Sequence, residues 1–337
     1  MRSFFVLITL LFLCLQSSSI WGQVATSPND KQGGSNTAST PPRMTRVPSD
    51  VILVKGAWHS SSDSTTPLPE DSRVRDGAFQ SQYFGVSLPL RPGWTQKYDV
   101  APPSDSGQYT LAQLASPEHD GVNGTFSIGA QDLFFARLPV TNSIDVVNYA
   151  TSHLPSYYKL EVAPTETRIR DRPFHVYGYR GATTGLHWYI AATDIRCHAV
   201  EFVMTSRDSK SIEILNHDLT KIDFLSASST VSGDGTPVCI KDYVRDENLL
   251  TRVDPVFVEH RFNPVPVRIV IGKDGLIKHI HFISAFPEQA TAVSEALKKW
   301  KFKPYLQDGK PTEVETGIMF GRAESAGLTS TKPAERE

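Results

Sequence analysis

The chain has 337 residues and a formal charge of −2, from 34 basic and 36 acidic side chains. That balance excludes a general polyanion binder, which would carry a basic excess, so no nucleic-acid partner is expected. Hydrophobic residues make up 39%, low for a chain compact from end to end. Leader, linker and tail segments are therefore expected around about two folded units.

The first element is a targeting signal. Arg2 precedes an apolar run, Phe4 to Leu15, and polar Gln16 to Ser19 follow it. This is the pattern of a secretory signal peptide, placed at residues 1–23. As a helix the run would reach ~18 Å, short of a ~30 Å hydrocarbon core. Cleavage would leave a periplasmic or secreted protein with no stable membrane span. The alternative is an uncleaved anchor in the inner membrane, with the chain facing the periplasm. Cys14 leaves with the signal, so Cys197 and Cys239 remain. Export favours oxidation, and the pair is compatible with one disulfide; two unpaired buried thiols are the alternative.

Residues 24–78 are rich in Ser, Thr, Pro, Asp and Gly. Such a stretch buries too little apolar surface to offset its ordering entropy and reads as a flexible leader. The first folded unit is predicted over residues 79–225. Tyr83 to Leu88, Leu111 to Ala115 and Thr125 to Ala130 read as strands. Phe174 to Tyr179, Leu186 to Thr193 and His198 to Thr205 follow at short breaks, which predicts an antiparallel meander. One helix begins near Ser143. Another begins near Asp208 or Ser209, where Ile212, Leu215, Leu219 and Ile222 form one apolar face. With its opening Gln82-Tyr83-Phe84-Gly85-Val86 and Pro92-Gly93-Trp94, this unit resembles the PsbP-like α+β sandwich of exported proteins.

Residues 226–237 form a Ser/Gly/Thr linker, and a second unit is predicted over 238–321, before a disordered tail at 322–337. In that unit Val265, Val267, Ile269 and Ile271 alternate along a strand. Gly272-Lys273-Asp274-Gly275 makes a hairpin turn, because Asp-Gly supplies positive φ. Leu276 to Ser284 returns. Pro287 opens a helix whose Ala290, Val293, Leu297 and Trp300 share a face. Pro304 stops it, Asp308-Gly309 turns the chain, and Glu313 to Phe320 is a last strand. The fold class is therefore α+β in two domains, an antiparallel-sheet sandwich followed by a small ββαβ domain.

The second unit resembles the TonB C-terminal domain family. The residues that carry the resemblance are Gly272, Asp274 and Gly275 in the turn, Trp300, Phe302 and Pro304 after the helix, and Gly309 before the last strand. The resemblance implies a periplasmic domain that binds a protein partner of the cell envelope, such as an outer-membrane receptor. Family transducers bind an extended receptor segment beside an edge strand, which is β-augmentation. On this chain the implied edge is Glu313, Val314, Glu315, Thr316, Gly317, Ile318, Met319 and Phe320. The signal segment lacks a polar coupling residue, and residues 24–75 lack the Pro-rich repeat of a transducer. A role in energy transduction for outer-membrane transport is therefore the second reading.

No GxSxG, HExxH, Walker A or GxGxxG pattern occurs. No enzyme, cofactor or metal site is expected. His279 and His281 lie two apart on a strand, and His187, Cys197 and His198 lie near one another in the meander. Solvent-facing and structural roles explain both groups more cheaply. Tyr157, Tyr158, Tyr177, Tyr179, Trp188 and Tyr189 would line a groove if the first domain were a small-molecule or lipid carrier; cross-strand packing is the simpler account.

Overall fold

Period-two alternation dominates the longer apolar runs, and the backbone responds with sheets. The computed structural model describes residues 52–53, 61–62, 67–117, 121–224, 237–257 and 264–321. The expected signal peptide and tail, most of the expected leader and nearly all of the expected linker lie outside the described residues.

In chain order the first strands are β1 (Ile52–Leu53), β2 (Ser61–Ser62), β3 (Arg73–Arg75), β4 (Ala78–Ser81), β5 (Val86–Pro89), β6 (Thr95–Gln96), β7 (Gln108–Ala115) and β8 (Thr125–Asp132). Next come β9 (Tyr158–Ile169), β10 (Arg172–Gly181), β11 (His187–Ile195), β12 (His198–Ser206), β13 (Asp223–Phe224), β14 (Val238–Cys239) and β15 (Leu249–Thr251). The last are β16 (Val265–Ile271), β17 (Ile277–Phe282), β18 (Lys301–Phe302), β19 (Leu306–Gln307), β20 (Lys310–Pro311) and β21 (Val314–Phe320). Among the described residues the α-helices are α1 (Ser143–Ser152), α2 (Ser209–Leu219) and α3 (Pro287–Leu297). The architecture is α+β.

The larger sheet has the order β6-β7-β8-β12-β11-β10-β9 and is antiparallel. A second sheet, β13-β5-β4-β3, shares a core with it. Phe79, Leu88, Leu114, Ile128, Phe174 and Phe202 fill that core, and α2 closes it with Leu215 and Leu219. Asp208 caps α2 by accepting from the Lys210 and Ser211 N–H groups.

Strand β9 escapes sequence reading because its side chains from Lys159 to Arg168 are exposed on both sides, so no alternation exists. It is held by pairing with β10, with register shifts near Gly178. Pro164, Lys159, Glu161, Glu166 and Arg168 blunt this edge against a further strand.

The C-terminal sheet has the order β1-β2-β17-β16-β21-β14. One face of it packs on α3: Val265, Val267, Ile269 and Ile271 meet Ala290, Val293, Leu297, Trp300 and Phe302. The turn is tight because Gly275 has φ +79°, and a Cβ there would lie 2.1 Å from the Phe302 carbonyl oxygen. Alternation predicts one apolar face for β16, yet all seven of its residues are buried. The second face is covered by the first unit, as shown by Phe134 and Phe135 pressing on Gly317.

Two expectations are corrected. The flexible leader was placed up to residue 78, but from Pro67 the chain is folded: Pro69–Asp71 is a 3-10 turn and β3 pairs with β4. Burial there comes from Leu68 and from Val74 packed on the core, isolated side chains rather than an apolar run. The strand expected at Tyr83 begins at Val86, because Gln82 to Gly85 is a turn with Gly85 at φ +61°.

Candidate functional site

The candidate site is the outer edge of β21 and the buried polar layer behind it. β21 pairs with β16 from Val314 to Phe320. On its other side β14 runs parallel and covers only Val314 and Glu315. The Val238 and Ile240 N–H groups donate to the Glu313 and Glu315 carbonyls, at 2.8 and 3.1 Å. Backbone groups on one side of a strand recur at every second residue. Gly317 and Met319 therefore also face outward, while Val314, Thr316, Ile318 and Phe320 face β16. Beyond Glu315 no strand pairs with this side among the described residues.

The side chains of the expected edge are far from free. Glu313, Val314, Glu315, Thr316 and Ile318 are buried, and Gly317, Met319 and Phe320 are partly buried. Met319 packs on the core of the first unit and Phe320 on that of the second. Gly317 is required by close approach, since a Cβ would lie 2.6 Å from the Phe134 Cβ. Strand addition uses backbone rather than side chains, so the outward N–H and C=O groups of Gly317 and Met319 are the candidate contacts.

Behind the edge lies a charge cluster. Arg268, opposite Gly317 on β21 and His281 on β17, donates to Asp132 at 2.5 Å and to Glu315 at 2.7 Å. The Phe134 N–H donates to Asp132 at 2.8 Å, and the Tyr83 hydroxyl donates to Glu315 at 3.3 Å. Arg196 sits over the Tyr83 ring, 4.3 Å from its centroid. Burial pushes the Tyr83 hydroxyl up and the His198 imidazole well down, so both are neutral. Burial also acts to raise Glu315, but the positive charges of Arg268 and Arg196 outweigh it and hold the carboxyl low. Two arginines thus face two carboxylates, the condition for burying charge at tolerable cost. A cavity of about 30 Å³ among Tyr83, Arg196, Arg268, His281 and Glu315 has room for a water.

Cys197 and Cys239 are joined by a disulfide, with Cα atoms 5.6 Å apart. It ties β14 to the tight turn between β11 and β12, where Arg196 and Cys197 take φ values of +47° and +62°. The family-motif residues build the far side of the domain. Trp300 donates its indole N–H to the Val253 carbonyl at 2.7 Å, and Phe302 is fully buried. Gly272, Asp274 and Gly275 form the β16–β17 turn; Pro304 follows β18, and Gly309 turns β19 into β20 with φ +77°.

His281 is buried against Glu70 at 3.2 Å rather than facing solvent. Among the described residues no three His, Cys, Asp or Glu side chains group as metal ligands would. The aromatic candidates stack on one another: Tyr179 and Trp188 lie 5.1 Å apart, and Tyr158 meets both edge-on. Sequence reading missed Asp132, Tyr83 and Arg196 as partners in the cluster. The one available signal was Arg268, an arginine in the middle of an apolar strand.

Comparison with known proteins agrees with the C-terminal assignment. Residues 263–321 match the family model described as the Gram-negative bacterial TonB protein C-terminal. Among solved structures the chain is similar to the solution structure of cyanobacterial PsbP from Synechocystis, at 13% identity and a TM-score of 0.31. That match covers 47% of this chain and 99% of the other, and the resemblance is weak. No curated protein matches. Among the described residues no helix is long and apolar enough to cross a membrane.

Proposed function

We propose that the chain is an exported, non-catalytic interaction protein of the cell envelope, whose TonB-like domain accepts an extended partner segment along β21. The observation that carries this reading is the outward backbone of Gly317 and Met319, next to which no described strand pairs. The blunted β9 edge is a poor competitor. TonB C-terminal domains bind envelope proteins, and the match at residues 263–321 supports a partner of that kind. The near-neutral charge suits binding by backbone pairing and shape rather than by a strong field.

The test uses the full chain. Proline at Met319 removes an outward N–H and leaves the β16 ladder intact; Met319→Ala controls for the lost side chain. Envelope partners captured by wild type and by Met319→Ala should be lost by Met319→Pro at unchanged circular dichroism. Retention of the same partners by Met319→Pro refutes edge pairing.

A second reading, a component of outer-membrane transport, draws on the same domain match. N-terminal sequencing of the exported protein separates the two. An intact Met1 in the inner membrane supports transport, and a new N-terminus near residue 23 supports the interaction protein. The carrier reading is disfavoured by Tyr177, Tyr179 and Trp188, which bury one another instead of lining a groove.

A further inference from the structure

We propose that the Cys197–Cys239 disulfide is a latch that holds β14 on β21, and that a dithiol reductant detaches β14 and lengthens the edge open to a partner. The inference rests on the reading of β21 as a strand-accepting edge and adds its regulation.

The occupant of the edge is slight. β14 has two residues; it pairs with β21 at Val238–Val314 and Cys239–Glu315, and the Val238 and Ile240 N–H groups donate to the Glu313 and Glu315 carbonyls. Downstream the chain is anchored independently, because Ile240 packs on the C-terminal core and Tyr243 is buried in it. Upstream, the described chain begins at Pro237. Among the described residues, the bond from Cys239 to Cys197 is a further tie on β14. Without it, Val238 and Cys239 keep only their short backbone pairing with β21.

The two sulfurs differ in access, which sets the order of exchange. Cys239 is exposed and Cys197 is buried. A thiolate of the dithiol attacks the Cys239 sulfur, the S–S bond breaks, and Cys197 leaves as thiolate and takes a proton. The second thiol of the reductant then displaces Cys239. Two protein thiols and one disulfide on the reductant result, a balanced two-electron exchange. The Cys197 sulfur lies 3.7 Å from Glu315 Oε2, so the new thiol has an acceptor where it stands. The buried side of the latch thus keeps its place, and the exposed side is the one released.

Amide hydrogen exchange on the full chain tests this, with the protein oxidised, reduced by dithiothreitol, and as Cys239→Ser. The expected result is exchange at Val238 and Ile240 accelerated about tenfold or more beyond any acceleration at Val267 and Ile269, in both reduced protein and variant. Unchanged rates at Val238 and Ile240 overturn the latch. Equal acceleration at Val267 and Ile269 also overturns it, since the bond would then serve overall stability instead of one strand. If the latch opens as expected but Met319→Pro keeps its envelope partners, the latch stands and edge docking fails, so the two ideas fail separately.

Discussion

Arg268 and Asp132, 136 residues apart in sequence, meet as a buried ion pair at 2.5 Å between the two folded units. The pair is completed by Glu315 at 2.7 Å, so the guanidinium is shared between a carboxylate from each unit. Removing one member of such a group strands charge in a buried site.

Arg268→Ala should therefore cost ~3–5 kcal/mol in urea unfolding, well beyond a surface substitution. The combined change Arg268→Met, Asp132→Asn and Glu315→Gln should recover most of that loss, because no unpaired charge remains. A loss below about 1 kcal/mol for Arg268→Ala would show that the interface is not closed around the pair.

The disulfide spans a sequence separation of 42 residues, so the chain-entropy model assigns it ~4 kcal/mol. The double substitution Cys197→Ser and Cys239→Ser should lower the urea midpoint accordingly. A fall much smaller than this would mean that the unfolded chain already keeps the two segments close.

Three glycines should rank by space. Gly275→Ala drives a Cβ to 2.1 Å from the Phe302 carbonyl oxygen, in a turn with φ +79°. Gly317→Ala drives one to 2.6 Å from the Phe134 Cβ. Gly309→Ala meets nothing within 4 Å and bears only its φ of +77°, a cost of about 1–2 kcal/mol. Thermal melts should show the largest loss for position 275 and the smallest for 309; the reverse order would refute the packing described for the turn.

Titration should act from both sides. Burial raises the Glu201 carboxyl from 4.5 to about 7. The folded state then binds that proton more tightly than the unfolded chain, so stability falls as pH rises between those values. Glu201→Gln should gain up to ~3 kcal/mol over wild type at about pH 8 and nothing at about pH 4. His198 works in the opposite sense. Burial, and next the Arg268 charge, holds its imidazole well below 6.5, so the stability present above that value is lost as pH falls below it. Urea titrations across the range check both, and a Glu201→Gln gain that is equal at both extremes would rule out the carboxyl as its cause.

Much of the C-terminal domain was legible because its signals are local. Asp274-Gly275 announces a turn, Pro287 starts α3, and the 3,4 spacing of Ala290, Val293 and Leu297 gives its buried face; the helix expected to run on past Trp300 ends at Leu297, and Trp300 packs on the same core from the turn that follows. The meander β10–β12 and the α2 face were legible for the same reason. β9 was not, since a strand whose side chains from Lys159 to Arg168 are all exposed leaves no side-chain period. Nor was residue 67 as a start, where Leu68 and the Glu70–His281 pair do the anchoring.

The sequence by itself determined many of the strands and helices and the TonB-like C-terminal domain, because periodicity and turn chemistry act over a few neighbouring residues. It left the two cysteines open between a bond and two thiols, and it named no partner for Arg268 in β16. Tertiary structure decided that the second face of that strand is buried, that Asp132 and Glu315 neutralise the arginine, and that β14 is tied across the head of β21. Those outcomes depend on charges and sulfurs brought together from distant parts of the chain, and no local pattern encodes which distant partner a residue will meet.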